Sequence, residues 1–140
     1  MEFEDNTKTR NHYKGELNYH IIFSTKFRRK CLAQIEDELY EAFMYCESKS
    51  HFKIKKMKHD KDHIHLLVNI APTYSLGQTI SRMKQMTTSF LYRNETTRNW
   101  LRNFYWGKRL TIWTHGYYAS TVGKVNEKTI YDYIENQGKK

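Results

Sequence analysis

Apolar and polar positions alternate with a period of two in several short stretches of the chain, a pattern that predicts β-strands. The first stretch is rich in β-branched and aromatic residues, the second alternates apolar residues with lysines, and the third is almost continuously apolar. Three residues link the second stretch to the third, which is typical of a hairpin. The predicted strands span residues 17–27, 51–59, 63–70 and 110–122, the last interrupted by Gly116.

Three further stretches place apolar residues three and four positions apart, which predicts amphipathic helices. The first spans residues 34–49. The second begins near Ser75, a candidate N-cap, and its apolar stripe continues to Leu91. The third spans residues 126–137, with Asn126 placed to cap it. Residues 94–110 are polar and aromatic and predict no clear element.

The order β-α-β-β-α-β-α predicts an α+β fold, a ferredoxin-like (RRM-like) sandwich whose four-stranded antiparallel sheet carries two helices on one face. RNA-recognition domains bind bases on the other face of such a sheet. The third helix is an addition to this architecture. We expect one domain over residues 1–140, with a flexible arm over residues 1–14.

Charge and aromatic content favour a nucleic-acid partner. Lys and Arg number 24 against 15 Asp and Glu, a net charge of +9, and aromatic residues make up 15% of the chain. This combination suits single-stranded nucleic acid, because bases stack on rings while cations follow the phosphates. The alternative is a basic protein whose charges are simply solvated.

The chain shows no sign of secretion or membrane insertion. Its first ten residues are acidic and polar, unlike a signal peptide, and no apolar run approaches the length of a membrane span. Cys31 and Cys46 fit neither a metal pattern nor a disulfide framework, and Cys46 lies on the apolar stripe of the first helix. We therefore expect a cytoplasmic, nucleoid-associated protein with no membrane partner and a reduced Cys46 in the core.

Two histidines lie one residue apart in the third strand. The period of two puts His63, His65 and Leu67 on one face and the apolar residues between them on the other, which should pack on the helices. His20 of the first strand is a candidate third member. Three roles are open for these histidines. They are solvated or hydrogen-bonded without an ion, they contact nucleic acid, or they form part of a metal site. The pair alone is a weak signal for a metal.

The last helix carries Tyr133 and Gln137 four residues apart, so the two share a face, and Ile130 and Ile134 can attach the helix to the sheet. Taken alone, such a tyrosine is usually a packing or surface residue. Combined with the histidines, it predicts a nucleophile beside a divalent ion held by His63, His65 and Gln137.

Four segments together resemble the motifs of the single-tyrosine HUH transposases, the IS200-like and IS605-type transposases of insertion sequences that move as single-stranded DNA. The resemblance covers about residues 17–137. One departure is Lys61, where the family often has proline. The segments are "YHIIFSTKFRR" (19–29), "DHIHLL" (62–67), "YYASTVG" (117–123) and "TIYDYIENQ" (129–137).

The resemblance implies both a chemistry and a set of partners. Tyr133, on a catalytic helix over residues 124–140, is implied to attack a phosphodiester, forming a 5′-phosphotyrosine and releasing a 3′-OH. His63, His65 and Gln137 are implied to bind Mg²⁺ or Mn²⁺. The implied substrate is single-stranded DNA with hairpins at the ends of the element. The implied assembly is a homodimer in which protomers can share active sites.

Several other residues have two possible roles each. Asp62 either orients a histidine or is a solvated turn residue, and Gly123 is either a hinge for the last helix or merely the end of a strand. The tryptophans could stack bases, although packing is favoured for Trp113. The basic residues either contact DNA phosphates or are solvated. The candidate DNA contacts are Arg28, Arg29, Lys30, Lys53, Lys55, Arg82 and Lys84.

Two other functions remain open from the sequence. One is a domesticated relative that nicks hairpin DNA. The other is a non-catalytic module that binds single-stranded nucleic acid on an open sheet. The second alternative predicts aromatic residues where the central strand has His63 and His65, and it leaves Tyr133 and Gln137 without a role.

Overall fold

The computed structural model describes residues 17–137, except for the side chains of residues 124–127. The predicted arm over residues 1–14 lies outside this described part. Four strands are formed: β1 Leu17–Ser24, β2 Phe52–His59, β3 His63–Ile70 and β4 Tyr118–Val122. Four α-helices accompany them: α1 Glu36–Ser48, α2 Leu76–Arg93, α3 Glu95–Leu101 and α4 Lys124–Glu135.

The four strands form one sheet in the order β2-β3-β1-β4, and every neighbouring pair is antiparallel. This is the strand order of a ferredoxin-like sandwich, so the predicted fold class is confirmed. The two strands that carry the histidines, β1 and β3, are the central pair. Side chains on these strands are therefore surrounded by structure on both sides.

The main core lies between one face of the sheet and helices α1 and α2. Ile21 and Phe23 of β1 and Ile64 and Leu66 of β3 are buried there, as the alternation predicted. Cys46 is also buried in this core as a free thiol, as expected. Burial of apolar area is the main favourable contribution to folding, so this face anchors the central strands.

Helix α4 packs on the second face of the sheet. Leu67 of β3, Val122 of β4 and Ile134 of α4 form a small separate cluster, with Ile130 and Tyr131 packed against it. Leu67 follows the two histidines on the same face of β3, and α4 packs against it. The face that the sequence left open is consequently covered in part by α4.

A β-bulge in β2 supplies a second attachment for α4. The pairing of β2 with β3 shifts between Ile54 and Lys56, which turns Lys56 away from the main core to lie opposite Leu67. The Lys56 side chain is fully buried, and its ammonium forms an ion pair with Glu135 of α4. Lys58 Nζ lies 3.7 Å from the other carboxylate oxygen of Glu135. We call these three residues the α4 latch.

Replacing Glu135 by alanine is expected to weaken the docking of α4, because the buried Lys56 ammonium would lose its counter-charge. Breaking a buried pair from one side is strongly destabilising, and since Glu135 is about a third exposed we expect a loss of roughly 2 kcal/mol. Denaturant unfolding and hydrogen exchange of α4 measure the effect.

The exposed pair of Lys128 and Asp132 on the same helix provides a control, since Asp132→Ala should cost no more than about 0.5 kcal/mol. Combining Glu135→Ala with Lys56→Met should restore most of the lost stability, because an apolar chain needs no counter-charge. Equal losses for Glu135→Ala and Asp132→Ala would show that the α4 latch does not hold the helix.

Two predicted strands are longer than those observed. β1 ends at Ser24, and a short 3₁₀ turn, Lys26–Arg28, follows it. The fourth strand is confined to Tyr118–Val122, with Trp113 making a single bridge to Thr25. The intervening carbonyl groups do not pair with a strand, because those of residues 114–116 accept hydrogen bonds from Lys84 Nζ at 2.8–2.9 Å.

One helix and one helix boundary also differ from expectation. Helix α3 was not predicted, and it begins where the Asn94 side chain accepts a hydrogen bond from the Thr97 N–H. The prediction that Asn126 caps the last helix was wrong, because α4 begins at Lys124 with Gly123 as its N-cap. Gly123 has a φ of −85°, and a Cβ there would meet open space, so its conformation does not require glycine.

Candidate active site

Three elements bring the candidate residues together on the second face of the sheet. β1 supplies His20, β3 supplies His63 and His65, and α4 supplies Tyr133. The His65 ring centroid lies 5.0 Å from that of His63 and 5.6 Å from that of His20. The Tyr133 ring stands edge-on to both His20 and His65, with its centroid 5.9 Å from each. Residues far apart in sequence thus form one cluster.

His63 is oriented by a chain of polar contacts. Its Nδ1 lies 2.8 Å from Asp62 Oδ1, and Arg28 Nε donates to Asp62 Oδ2 at 3.2 Å. Partial burial acts to raise the pKa of Asp62, but the contacts with His63 and Arg28 outweigh it and lower the pKa overall. An ionised carboxylate only accepts, so His63 Nδ1 carries a proton, and Nε2 is the ring nitrogen that points away from Asp62 as a possible ligand.

Of the two roles considered for Asp62, these contacts favour the one that orients a histidine. Its side chain is 17% exposed and bonds both His63 and Arg28. A histidine that binds a metal ion through one ring nitrogen commonly donates a hydrogen bond from the other ring nitrogen to such a carboxylate.

His65 is buried and neutral at pH 7. Burial first, and then the neighbouring His63 and His20, lower its pKa to about 4 overall, while the Gln137 side chain acts in the opposite direction. Burial likewise lowers the pKa of His20. His65 Nδ1 lies 3.3 Å from His20 Nε2. Among the described residues, His65 Nε2 has no hydrogen-bond partner although it is buried.

The donor set suits a divalent ion. An unpartnered buried nitrogen costs free energy, which a ligand on His65 Nε2 would relieve. Neutral imidazoles are good ligands for transition metals, and His63 Nε2 and the Gln137 amide oxygen are further donors. Within residues 17–137, no group of three or more His, Cys, Asp or Glu side chains is arranged to hold a metal. The candidate ligands are instead two imidazoles and one amide.

The two tyrosines of "YDY" occupy different environments. Tyr133 faces the histidines and is 50% exposed, so a substrate can reach it. Tyr131 packs against the apolar cluster under α4, and Lys56 Nζ lies 4.8 Å from the centroid of its ring. The structure thus brings Tyr133, and not Tyr131, to the cluster of histidines.

Comparison with known proteins identifies the family of the chain. Residues 13–137 match the family model described as "Transposase IS200 like". The chain belongs to the IS200-like transposase family. It is 30% identical over 128 residues to the transposase for insertion sequence element IS200 of Salmonella typhimurium, an alignment that covers 90% of this chain and 80% of the relative. It is 25% identical to the ISDra2 transposase TnpA of Deinococcus radiodurans over 126 residues, 89% of this chain and 86% of that protein.

Solved structures share the fold. A Deinococcus radiodurans protein described as a transposase superposes with a TM-score of 0.67 and 22% identity, over 98% of both chains. A REP-associated tyrosine transposase bound to a REP hairpin superposes with a TM-score of 0.62 and 13% identity, over 89% of this chain and 67% of that one. The transposase fold of this IS200-like chain is thus also found in experimental structures.

The part of this transposase that the structure describes contains no helix with the length and apolar character needed to cross a membrane.

The candidate DNA contacts fall into two groups. Arg28 and Arg29 lie just after β1 near the active site, as does the exposed Lys30, and Lys53 and Lys55 are half-buried on β2. Arg82 and Lys84 lie on α2, in the helix layer. Arg82 donates to Ser50 Oγ and to the Lys49 carbonyl, both at 2.6 Å. Lys84 holds three carbonyl groups. The last two residues are therefore not brought to the histidine cluster.

Sequence inspection missed the α4 latch. The one available signal is "KIKKMK" in β2, where two successive lysines interrupt the alternation at the position of the bulge. Glu135 gave no signal of its own, because a charged residue at a helix end is usually solvated.

Proposed function

We propose that this IS200-like transposase cleaves and rejoins single-stranded DNA, with Tyr133 as the nucleophile. The observation that carries the proposal is the position of the Tyr133 ring, edge-on to His20 and His65 with both centroids at 5.9 Å. A tyrosine beside a polar cluster on an exposed surface is suited to attack a backbone phosphate.

In the proposed cleavage step, the Tyr133 hydroxyl oxygen attacks the phosphorus atom. The bond from phosphorus to the 3′ oxygen breaks, leaving a 5′-phosphotyrosine and a free 3′-OH. The tyrosine proton passes to solvent, which is accessible because the residue is half exposed, and the departing oxygen takes up a proton. Rejoining reverses these events with a 3′-OH from another cut, so the phosphodiester bond is conserved without an external energy source.

We further propose that His63, His65 and Gln137 hold a divalent ion, Mg²⁺ or Mn²⁺. When bound, such an ion would polarise the scissile phosphate and offset its developing charge. Asp62 would keep His63 in the tautomer that offers Nε2, and His20 would support the His65 ring from the opposite side. Helix α4 would present both Tyr133 and Gln137, so the α4 latch would position the nucleophile.

The proposed substrate carries hairpins at the ends of the mobile element. A relative of the same fold is bound to a REP hairpin, and the net charge of +9 favours association with DNA. We propose that the seven basic candidate residues contact this DNA. We also propose a homodimer, associated with the nucleoid, although in this structure Tyr133 lies against the histidines of its own chain.

End-labelled oligonucleotides test the proposal. Single strands from both flanks of the gene, labelled at either end, are incubated with the protein and Mg²⁺ or Mn²⁺, with the annealed duplex as a control. The proposal predicts that a 5′-labelled fragment is released with an extendable 3′-OH, while the 3′-labelled fragment stays attached to protein. The reverse assignment of fragments would contradict the 5′-phosphotyrosine. Binding without cleavage would favour a non-catalytic module, and cleavage without rejoining would favour a hairpin nickase.

A further inference from the structure

Two exposed aromatic rings, those of Phe27 and Trp106, lie beside the same arginine, Arg29. Phe27 is 69% exposed and Trp106 is 73% exposed. The Arg29 guanidinium carbon lies 5.6 Å from the ring centroid of Phe27 and 5.8 Å from that of Trp106. A guanidinium can stack on aromatic rings, so Arg29 links the two. We call Phe27, Arg29 and Trp106 the aromatic platform.

The backbone under Phe27 adopts a conformation that is costly for a bulky side chain. Phe27 has a φ of 60° and Arg28 a φ of 53°, both in the left-handed region that glycine favours. Such conformations are costly for residues other than glycine and persist only where the surroundings impose them, often at functional sites. The result here is a ring held out towards solvent.

The turn that carries Phe27 is fixed to the segment that carries Trp106. Tyr105 donates its hydroxyl hydrogen to the Lys26 carbonyl at 2.7 Å, and the Lys26 N–H donates to the Ile112 carbonyl at 2.7 Å. Arg102 donates to the Gly107 carbonyl on the other side of Trp106. Hydrogen bonds therefore hold the backbone segments that carry the two rings to each other.

The turn that carries Phe27 is also joined by side-chain contacts to the candidate active site. Arg28 follows Phe27 and bonds Asp62, which in turn bonds His63. Arg28 also donates to Ser24 Oγ at 3.0 Å, and Ser24 lies opposite His63 in the sheet. Arg28 and Asp62 therefore connect the turn that carries Phe27 to His63.

The charges around the aromatic platform indicate what kind of partner it fits. Basic residues precede and follow Phe27 in the chain, and two more follow Trp106. A second copy of this protein would bring the same cations and its own net charge of +9, which opposes contact of this surface with itself. Nucleic acid has the complementary character, with anionic phosphates and apolar base faces. The basic residues close to the two rings in the sequence are Lys26, Arg28, Lys30, Lys108 and Arg109.

We infer that the aromatic platform stacks an unpaired base of the single strand beside the bond that is cut. The identity of the substrate rests on the proposed function, while the stacking site does not depend on the chemistry of Tyr133. Stacking requires a base that is free of its partner strand, so the platform selects single strands over duplex. Because every base has a π-face, it tolerates many sequences.

The test measures the binding of a labelled oligothymidylate by fluorescence anisotropy, in a Tyr133→Phe background that prevents cleavage. Phe27→Leu and Trp106→Leu should each weaken binding about tenfold, since a lost base-stacking contact has effects of this order. Arg29→Lys keeps the charge but loses the planar group, and we expect a severalfold loss. DNA should also quench the fluorescence of exposed Trp106, and Trp106→Leu should remove that quenching.

Tyr45→Leu is the matched control. The Tyr45 ring also has two cations beside it, Lys49 Nζ at 5.9 Å and the Arg93 guanidinium carbon at 5.6 Å, but it lies on α1 in the helix layer. We expect no change in binding from this variant. An abasic nucleotide scanned along the oligonucleotide provides a second measurement, because one position should weaken binding to the parent protein and have no effect on the double variant Phe27→Leu/Trp106→Leu.

The outcomes separate the stacking site from the proposed function. Binding by the platform variants that equals binding by Tyr45→Leu would overturn the stacking site, as would variants that change self-association but leave DNA binding intact. Covalent attachment is measured separately with Tyr133 present. Loss of binding in the platform variants, with no covalent attachment in the parent protein, would support the stacking site and refute the proposed chemistry.

Discussion

Replacing Tyr133 by phenylalanine is expected to lower DNA cleavage by about a thousandfold or more, because the variant lacks the only atom proposed to attack the phosphate. The ring remains, so its contacts with His20 and His65 are kept. Stability and DNA binding should therefore stay close to those of the parent. Cleavage of a single-stranded flank, measured under single-turnover conditions, gives the ratio of rates.

Tyr131→Phe is the control for this experiment, since it removes a hydroxyl two residues away and retains the ring that packs beside Lys56. Its cleavage rate should be within a few-fold of the parent rate. Were Tyr131→Phe the inactive variant and Tyr133→Phe the active one, the nucleophile would have been assigned to the wrong side of α4.

Alanine in place of His63 is expected to produce the second large loss, in both metal affinity and cleavage. Changes to a residue that merely supports a metal ligand already cost roughly 10- to 100-fold, so removing a ligand should cost at least about 100-fold. Treating the parent protein with a chelator should produce a comparable loss of cleavage, and added Mn²⁺ should reverse it. Binding of Mn²⁺ by the DNA-free protein, followed by electron paramagnetic resonance, measures the affinity without reference to activity.

His51→Ala is the matched control, because this histidine is exposed and stacks on Tyr74 far from the candidate ligands. It should bind Mn²⁺ like the parent. His63 is also more suitable than His65 for this test, since removing the buried His65 would leave a cavity in the sheet. An unchanged Mn²⁺ affinity in His63→Ala, or cleavage that resists the chelator, would exclude the proposed ion site.

The arrangement of the histidines could be predicted because it depends on local periodicity. Once β3 is recognised as a strand, its alternation puts His63 and His65 on one face and apolar residues on the other. The helical spacing of Tyr133 and Gln137 is similarly local. The ferredoxin-like order of strands followed from the order of elements. The position of α4 over the histidines did not follow in the same way, although Ile130 and Ile134 indicated that the helix attaches to the sheet.

The features that could not be predicted depend on contacts between distant segments. Lys56 becomes a buried partner of Glu135 only because a bulge turns it to the second face. Residues 110–117 have strand-like composition, yet Lys84 of α2 binds the carbonyl groups of residues 114–116. The left-handed backbone at Phe27 depends on bonds to Tyr105 and Ile112. Propensity and periodicity contain no information about such partners.

The most direct test of the proposed chemistry is to locate the covalent bond. The parent protein is incubated with single-stranded flank DNA and Mn²⁺, digested with nuclease and trypsin, and analysed by mass spectrometry. Attack by Tyr133 predicts a peptide spanning residues 129–139 that carries a nucleotide phosphate, with fragment ions that place it on Tyr133 and not on Tyr131. A modification on any other residue, or cleaved DNA with no protein attached, would contradict the assignment of Tyr133 as the nucleophile.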